Sequence, residues 1–266
     1  MNFLPREHGA TAMLLTPMVC AAILARQWHW SELAALSAAV AALAAKDPAV
    51  VVARQRFVWK NPHPETAAAA RWFAGWVAIL AGSGFVLLTR WPLKAIAAMG
   101  LGATVFSALA VAMNVKNRQR STLFQIVSAA ALTSSCLAMS LSATGSVPRW
   151  CWWLWLLLAM QASAGILVVH SRLDARIALR GKVPGSERYR VAAQIAVAVL
   201  ASTAIAFAII GGALIALALL IAALGYGYDL RRQRDAGALQ LPLKAVGQRA
   251  LVLSTVYAIL LIAGLL

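Results

Sequence analysis

The chain has 266 residues, of which 62% are hydrophobic and 12% charged, and its mean hydropathy is +0.78. A soluble domain has roughly 45–50% apolar and about 25% charged residues, so this composition excludes a soluble protein and predicts a polytopic membrane protein. A net charge of +16 would favour a nucleic-acid partner in a soluble chain. Because lysine and arginine also collect in the cytoplasmic loops of membrane proteins, we expect no nucleic-acid partner here.

Nine apolar segments come close to the length of about 20 residues that crosses a membrane as a helix. In chain order they are residues 9–26, 31–46, 69–89, 92–114, 121–144, 150–170, 189–208, 211–228 and 246–266. Gly211-Gly212 interrupts a long apolar run and predicts a tight hairpin, with a single re-entrant segment as the alternative. We therefore predict one integral membrane domain, residues 1–266, built as an all-α bundle of about nine transmembrane helices.

Basic residues are distributed unequally between the predicted loops. With the N-terminus in the cytoplasm and the C-terminus outside, 20 of the 24 lysines and arginines fall on the cytoplasmic side, and only Arg26, Arg90, Lys94 and Arg149 fall outside. This asymmetry favours that orientation. Seven of the eight acidic residues, all except Glu32, also fall on the cytoplasmic side. Because acidic residues contribute little to topology, their position predicts ion pairs or a polar site on that face.

The densest group of polar residues beside any predicted span is Arg6-Glu7-His8, directly before the first span. Ionisable groups are costly next to hydrocarbon unless they pair or face a polar cavity. Histidine exchanges protons near neutral pH, and a glutamate acts as a base or orients the histidine. Two interpretations stay open: an acid–base or substrate-orienting site, and an interfacial anchor with Arg6 among the lipid head groups.

Two further polar groups follow the second and the sixth predicted spans. Asp47 precedes Arg54 and Arg56 in a predicted loop, and Asp174 lies four residues after His170. If the sixth span continues as a helix, His170 and Asp174 share a face. A carboxylate can hold Mg²⁺ together with substrate phosphates, and arginine suits phosphate oxygens. The alternatives are a basic loop that touches anionic lipids and an intrahelical pair.

A third basic group, Lys116, Arg118 and Arg120, occupies the short connection between the fourth and fifth predicted spans. Its spacing of two places the three side chains on one side of an extended turn. Phosphate binding and a plain topology signal both fit this group. No charged residue falls near the middle of a predicted span, and this disfavours ion-coupled transport.

The opening Pro5-Arg6-Glu7-His8-Gly9-Ala10, with Met13 and Pro17 after it, resembles the start of the YwiC-like family of bacterial membrane proteins. The resemblance extends loosely over the rest of the chain, including Gly247-Gln248-Arg249 before the last span. It implies a multi-pass protein of the bacterial cytoplasmic (inner) membrane, and it implies no particular activity.

A more distant resemblance is to the UbiA-type prenyltransferases. It implies nine spans, a cytoplasmic N-terminus, and a cavity open to the cytoplasm in which Asp-rich motifs after spans 2 and 6 bind Mg²⁺ and a prenyl diphosphate. Asp47 and Asp174 stand at the two motif positions, and Lys116 with Arg118 stands at that family's basic patch after span 4. Each motif position holds one carboxylate here where the family has two or more. Neighbouring arginines therefore replace Mg²⁺ as phosphate partners, or the scaffold has lost that chemistry.

We predict a UbiA-like enzyme or binder that acts on an isoprenoid or other lipid-like substrate. The alternatives are a permease for a small anion or metabolite and a structural partner of a membrane complex. The apolar tail of the substrate would enter the helix bundle, and its polar head would meet the substrate-binding candidates Arg6, Arg54, Arg56, Lys116, Arg118 and Arg172. The catalytic acid–base candidates are Glu7, His8 and Asp174, and the candidates for holding Mg²⁺ are Asp47 and Asp174.

Overall fold

A computed structural model describes residues 8–181, 187–241 and 243–266 of the chain. The structure is 85% helical and has no strand within those ranges, so the predicted all-α class is confirmed. The helices are α1 (His8–Ala25), α2 (Trp30–Phe57), α3 (Thr66–Leu87), α4 (Leu93–Val115), α5 (Thr122–Thr133), α6 (Ser135–Thr144), α7 (Arg149–Leu179), α8 (Glu187–Ile209), α9 (Ala213–Arg232), α10 (Ala236–Gln240) and α11 (Leu243–Leu265).

In the part of the chain that the structure describes, eight helical segments are long and apolar enough to cross a membrane, when α5 and α6 count as one. Helix α1 is also apolar but has only 18 residues. At 1.5 Å per residue it measures about 27 Å, against about 30 Å for the hydrocarbon layer. Each of the nine predicted segments coincides with one of these helices. The orientation of the termini and the likeness to UbiA-type proteins stay predictions.

Helices α2 and α7 are longer than a membrane span requires. They have 28 and 31 residues, or about 42 and 46 Å, so each extends about ten residues beyond the hydrocarbon layer. Helix α7 begins among tryptophans that are typical of a membrane interface, which places its extension at the other end, with Arg172 and Asp174. The loop predicted directly after residue 46 is therefore wrong, because α2 continues through Pro48 to Phe57. Helix α7 continues past residue 170 to Leu179, so His170 and Asp174 lie four residues apart on one helix.

The predicted span 121–144 is divided into α5 and α6 at Ser134, near its middle. Thr133 and Ser134 donate their hydroxyl hydrogens to carbonyl oxygens of the preceding turn, at 2.8 Å and 2.7 Å, which competes with regular helix geometry. The indole Nε1 of Trp155 donates to the Ala130 carbonyl at 2.9 Å, and Ser135 Oγ donates to the Leu14 carbonyl at 2.7 Å. A side chain of α7 therefore donates to a carbonyl beside the break, and a side chain at the break donates to a carbonyl of α1.

The hairpin predicted at Gly211-Gly212 is confirmed. Helix α8 ends at Ile209 and α9 begins at Ala213, and the two helices pack against each other. Gly211 has a φ of 86°, in the left-handed region that glycine adopts without a steric penalty. Two packed helices joined by this turn exclude the single re-entrant segment.

The described residues form two compact units, one ending at Trp155 and the other running from Leu156 to Leu266. In the first unit α2 packs against α3 and α4, and α1 packs against α5, α6 and α2. In the second unit α9 packs against α8 and α11. Within the second unit, the later part of α7 is hydrogen-bonded to α9 and α11. Gln161 donates to the Tyr226 hydroxyl at 2.7 Å, and the Tyr257 hydroxyl donates to the Leu157 carbonyl at 3.0 Å. That residues 1–266 form a single domain stays a prediction.

Candidate functional site

Charged side chains from α7, α9 and α11 meet in the second unit. Arg249, Arg172 and Arg232 all lie near enough to Asp229 to act electrostatically on its carboxylate. Arg176, which follows Arg172 by one helical turn, acts on Arg172 in the same way. We name these five residues the arginine cluster. Three helices contribute to it, and its most distant members are separated by 77 positions in the sequence.

The arginine cluster is electrostatically unbalanced. Three guanidinium groups act on the Asp229 carboxylate and a fourth, that of Arg176, acts on Arg172, so these five residues carry a formal charge of +3. Arg172 and Arg176 stand at i and i+4 of α7, where like charges destabilise a helix by about 0.2–0.5 kcal/mol. Neither Arg172 nor Arg249 lies in the last turn of its helix, so the helix dipole does not account for them. A bound anion would offset the positive charge of these five residues.

Arg172 is the best-enclosed member of the cluster, with 6% of its surface exposed. Its Nη2 donates to the Ala238 carbonyl in α10 at 2.5 Å. Its Nε is buried and has no hydrogen-bond partner in residues 8–181, 187–241 and 243–266. A buried donor without a partner costs roughly 1–3 kcal/mol. An anion beside Arg172 would remove this cost.

The chain segment around the cluster is fixed by its own hydrogen bonds. Gln233 accepts from the Ser171 hydroxyl at 2.8 Å and donates to the Val168 carbonyl at 3.1 Å. Asp235 caps α10 by accepting from the backbone N–H groups of Gly237 and Ala238, at 3.0 Å and 3.3 Å. The turn after α9 is therefore tied to α7, and Arg232 has a defined place beside Arg172.

A groove of about 530 Å³ begins at the cluster and follows α11. Ala245, Gln248 and Arg249 line the end of it that lies near the start of α11. Val252, Leu253 and Val256 continue from Arg249 at spacings of three, four and seven, which places them on one helical face. The groove thus joins a basic end to an apolar length of about 10 Å.

Arg54, a predicted substrate-binding residue in the first unit, is hydrogen-bonded to the end of another helix. Arg54 Nη2 donates to the Asn114 carbonyl at 3.0 Å and to Asn117 Oδ1 at 3.2 Å. These bonds place a cation at the C-terminal end of α4, where the helix dipole favours it. Arg56 is exposed on the next part of α2, and Lys116 is exposed at the end of α4. The structure therefore gives Arg54 a capping role.

The predicted Mg²⁺ ligands are distributed over the two units. Asp47 lies in the first unit and forms an ion pair with Lys46, with 3.7 Å between Nζ and Oδ1. Asp174 lies on α7 in the second unit. No group of three or more His, Cys, Asp or Glu side chains that could hold a metal ion occurs in the described parts of the chain. A Mg²⁺ site at Asp47 and Asp174 stays a prediction, and we derive no step through a metal.

The structure describes some of the remaining predicted site residues and not others. Arg6 and Glu7 lie outside the described residues, as does the side chain of His8, whose backbone begins α1. Arg118 is exposed in the connection between α4 and α5. Arg172 alone of the predicted substrate-binding residues belongs to the arginine cluster.

Sequence reasoning did not select Asp229, Arg232, Gln248 or Arg249 as site residues. Asp229 and Arg232 stand three positions apart at the end of an apolar helix, and this spacing indicates a shared face. The sequence around Arg249 indicates a functional site less clearly, because a basic residue before a span is also expected from the positive-inside rule. Only the packing of α11 against α9 brings it to Asp229.

Taken together, the fold and the polar cluster define an all-helical, multi-pass integral membrane protein. The sequence profile of the family described as YwiC-like protein matches residues 4–140, just over half of the chain. The chain belongs to this family, and the family predicted from the opening motif is confirmed. No curated protein and no solved structure matches the chain.

Proposed function

We propose that this protein binds an isoprenoid or other lipid-like substrate through an anionic, phosphate-type head at the arginine cluster. The observation that carries this proposal is the excess of four guanidinium groups over one carboxylate, contributed by three membrane helices. The charge distribution of the loops supports placing the cluster at the cytoplasmic face of a bacterial inner membrane.

Guanidinium groups suit a phosphate head for geometric reasons. Each presents planar, paired N–H donors that match phosphate oxygens. Arg172 retains a buried Nε donor, while Arg249 is exposed at the end of the groove. A bound head would therefore contact one enclosed and one accessible arginine. If the bound substrate is also transformed, Glu7, His8 and Asp174 are the proposed acid–base groups.

Binding of farnesyl phosphate and of its neutral analogue farnesol to the purified protein tests the proposal. Native mass spectrometry measures both affinities. A hydrogen bond to a charged group contributes about 1.5–3 kcal/mol, so we expect Arg249→Gln to weaken farnesyl phosphate binding about tenfold or more. Arg234→Gln is the matched control, because Arg234 is an exposed arginine in the same region that does not belong to the cluster.

Two results would contradict the proposal. Equal affinities of the wild type for farnesyl phosphate and farnesol would show that the head group is not recognised. An equal loss of affinity in Arg249→Gln and Arg234→Gln would show a general effect of surface charge. Arg232→Gln provides a second cluster variant if Arg249→Gln cannot be purified.

The break between α5 and α6 at Ser134 is the feature that favours the permease alternative, because transporters often bind substrate at discontinuous helices. In this protein the Ala130 carbonyl accepts from Trp155, and the Leu14 carbonyl opposite the break accepts from Ser135. Protein groups thus already donate to these two carbonyls near the break. The break favours transport less strongly than the arginine cluster favours head-group binding.

A further inference from the structure

The groove that starts at the arginine cluster lies on the face of the second unit formed by α9 and α11. Ile221 of α9 and Ala245, Val252, Leu253 and Val256 of α11 provide its apolar lining. Val252 is 63% exposed, which is unusual for a position that lines an enclosed cavity. In a membrane-spanning helix such an exposed apolar face meets lipid. The groove is therefore open along its side to the bilayer.

The interior of the same unit is filled by its own side chains. Tyr226 and Tyr257 are buried between the helices, and Gln161 Nε2 donates to the Tyr226 hydroxyl and to Ser254 Oγ, at 2.7 Å and 3.0 Å. A Cβ atom on Gly165 would come within 2.8 Å of the Tyr226 hydroxyl oxygen. An alkyl chain inserted here would break these hydrogen bonds, and each buried group left unpaired costs roughly 1–3 kcal/mol.

We infer that the tail of the bound lipid lies in the open groove on α11, and that the ligand is a membrane amphiphile which enters sideways from the bilayer with its phosphate at Arg249. This inference rests on the proposed function and changes one part of the sequence prediction, in which the tail enters the bundle. The groove is complementary to this occupant, because its basic end suits an anionic head and its apolar length suits a hydrocarbon tail.

A photoreactive probe can locate the tail. We would use hexadecyl phosphate with a diazirine in the middle of its chain, and the matching hexadecanol as a neutral probe, with the full-length protein in detergent micelles. After illumination, peptide mass spectrometry identifies the labelled residues. We expect the phosphate probe to label the groove-lining face of α11 and Ile221, and the neutral probe to label exposed helices without this preference.

Two tryptophan substitutions on α11, one inside the groove and one outside it, test whether the tail occupies the groove. Val252→Trp places a large side chain in the groove, and we expect it to abolish labelling of the α11 face. Leu251→Trp makes the same change at a neighbouring position that is 59% exposed and lies outside the lining, and we expect it to leave the labelling unchanged. Both positions face away from the core, so either variant should fold, and a melting curve checks this.

The outcomes separate this inference from the proposed function. If the phosphate probe binds more tightly than the neutral probe and Arg249→Gln weakens it, but the label lies outside the groove, only the tail position is overturned. If inorganic phosphate displaces the probe with the affinity of the probe itself, the ligand is a soluble anion and the inference fails. If both probes label the α11 face equally, the groove holds ordinary bilayer lipid and the inference also fails. If both probes also bind with equal affinity, the proposed function fails as well.

Discussion

At the scale of single residues, Gly165 decides whether α7 and α9 can approach each other. We predict that Gly165→Ala destabilises the protein by about 1–3 kcal/mol, because the new Cβ would lie 2.8 Å from the Tyr226 hydroxyl oxygen and displace it from Gln161. Chemical unfolding followed by tryptophan fluorescence measures this change. Alanine normally favours helix over glycine, so the sign of the effect distinguishes steric conflict from helix propensity.

Gly227→Ala is the control for that prediction, since its Cβ would meet Val197 at an ordinary 3.9 Å, and we expect it to be neutral or slightly stabilising. Removing the hydroxyl provides a second check. In a Tyr226→Phe background, Gly165→Ala should cost less than in the wild type, because the conflicting oxygen is gone. Additive effects of the two substitutions would show that they do not interact through this contact.

At the scale of helices, Arg54 joins the end of α2 to the end of α4. We predict that Arg54→Ala destabilises the protein by about 1 kcal/mol, because the Asn114 carbonyl and Asn117 lose their charged donor at a helix C-terminus. Hydrogen exchange should rise in the last turn of α4. Arg56→Ala removes an exposed arginine two positions away and should leave that exchange unchanged. Equal exchange in the two variants would contradict the capping role.

The helices also show which features the sequence could predict. Apolar length predicted the eight segments that are long and apolar enough to cross a membrane in the described residues, because the hydrocarbon layer demands that length. The same signal misplaced the ends of α2 and α7, since apolarity stops where lipid stops while the backbone hydrogen bonds continue to Phe57 and Leu179. The break at Ser134 gave no signal, because serine is common within membrane helices. The meeting of Arg172 with Arg249 depends on helix packing, which a single sequence does not specify.

At the scale of the whole molecule, the side of the membrane on which Arg6-Glu7-His8 lies depends on α1. The basic loops predict the orientation of the later helices. With that orientation, a spanning α1 places this motif in the cytoplasm, and a non-spanning α1 places it outside. The helix is short, at 18 residues. It is nevertheless packed against α5, α6 and α2, with Met18 and Ala21 fully buried. These contacts favour an α1 embedded in the bundle, and we predict nine crossings.

Thiol labelling of right-side-out membrane vesicles tests this topology. The three native cysteines, Cys20, Cys136 and Cys151, are buried, so they should give little background. A cysteine introduced at Gln27, an exposed position after α1, should react with a membrane-impermeant maleimide. A cysteine introduced at Asn2 should react only after the vesicles are opened. If Asn2→Cys reacts in sealed vesicles, α1 does not cross, and Glu7 and His8 lose their proposed place on the cytoplasmic face.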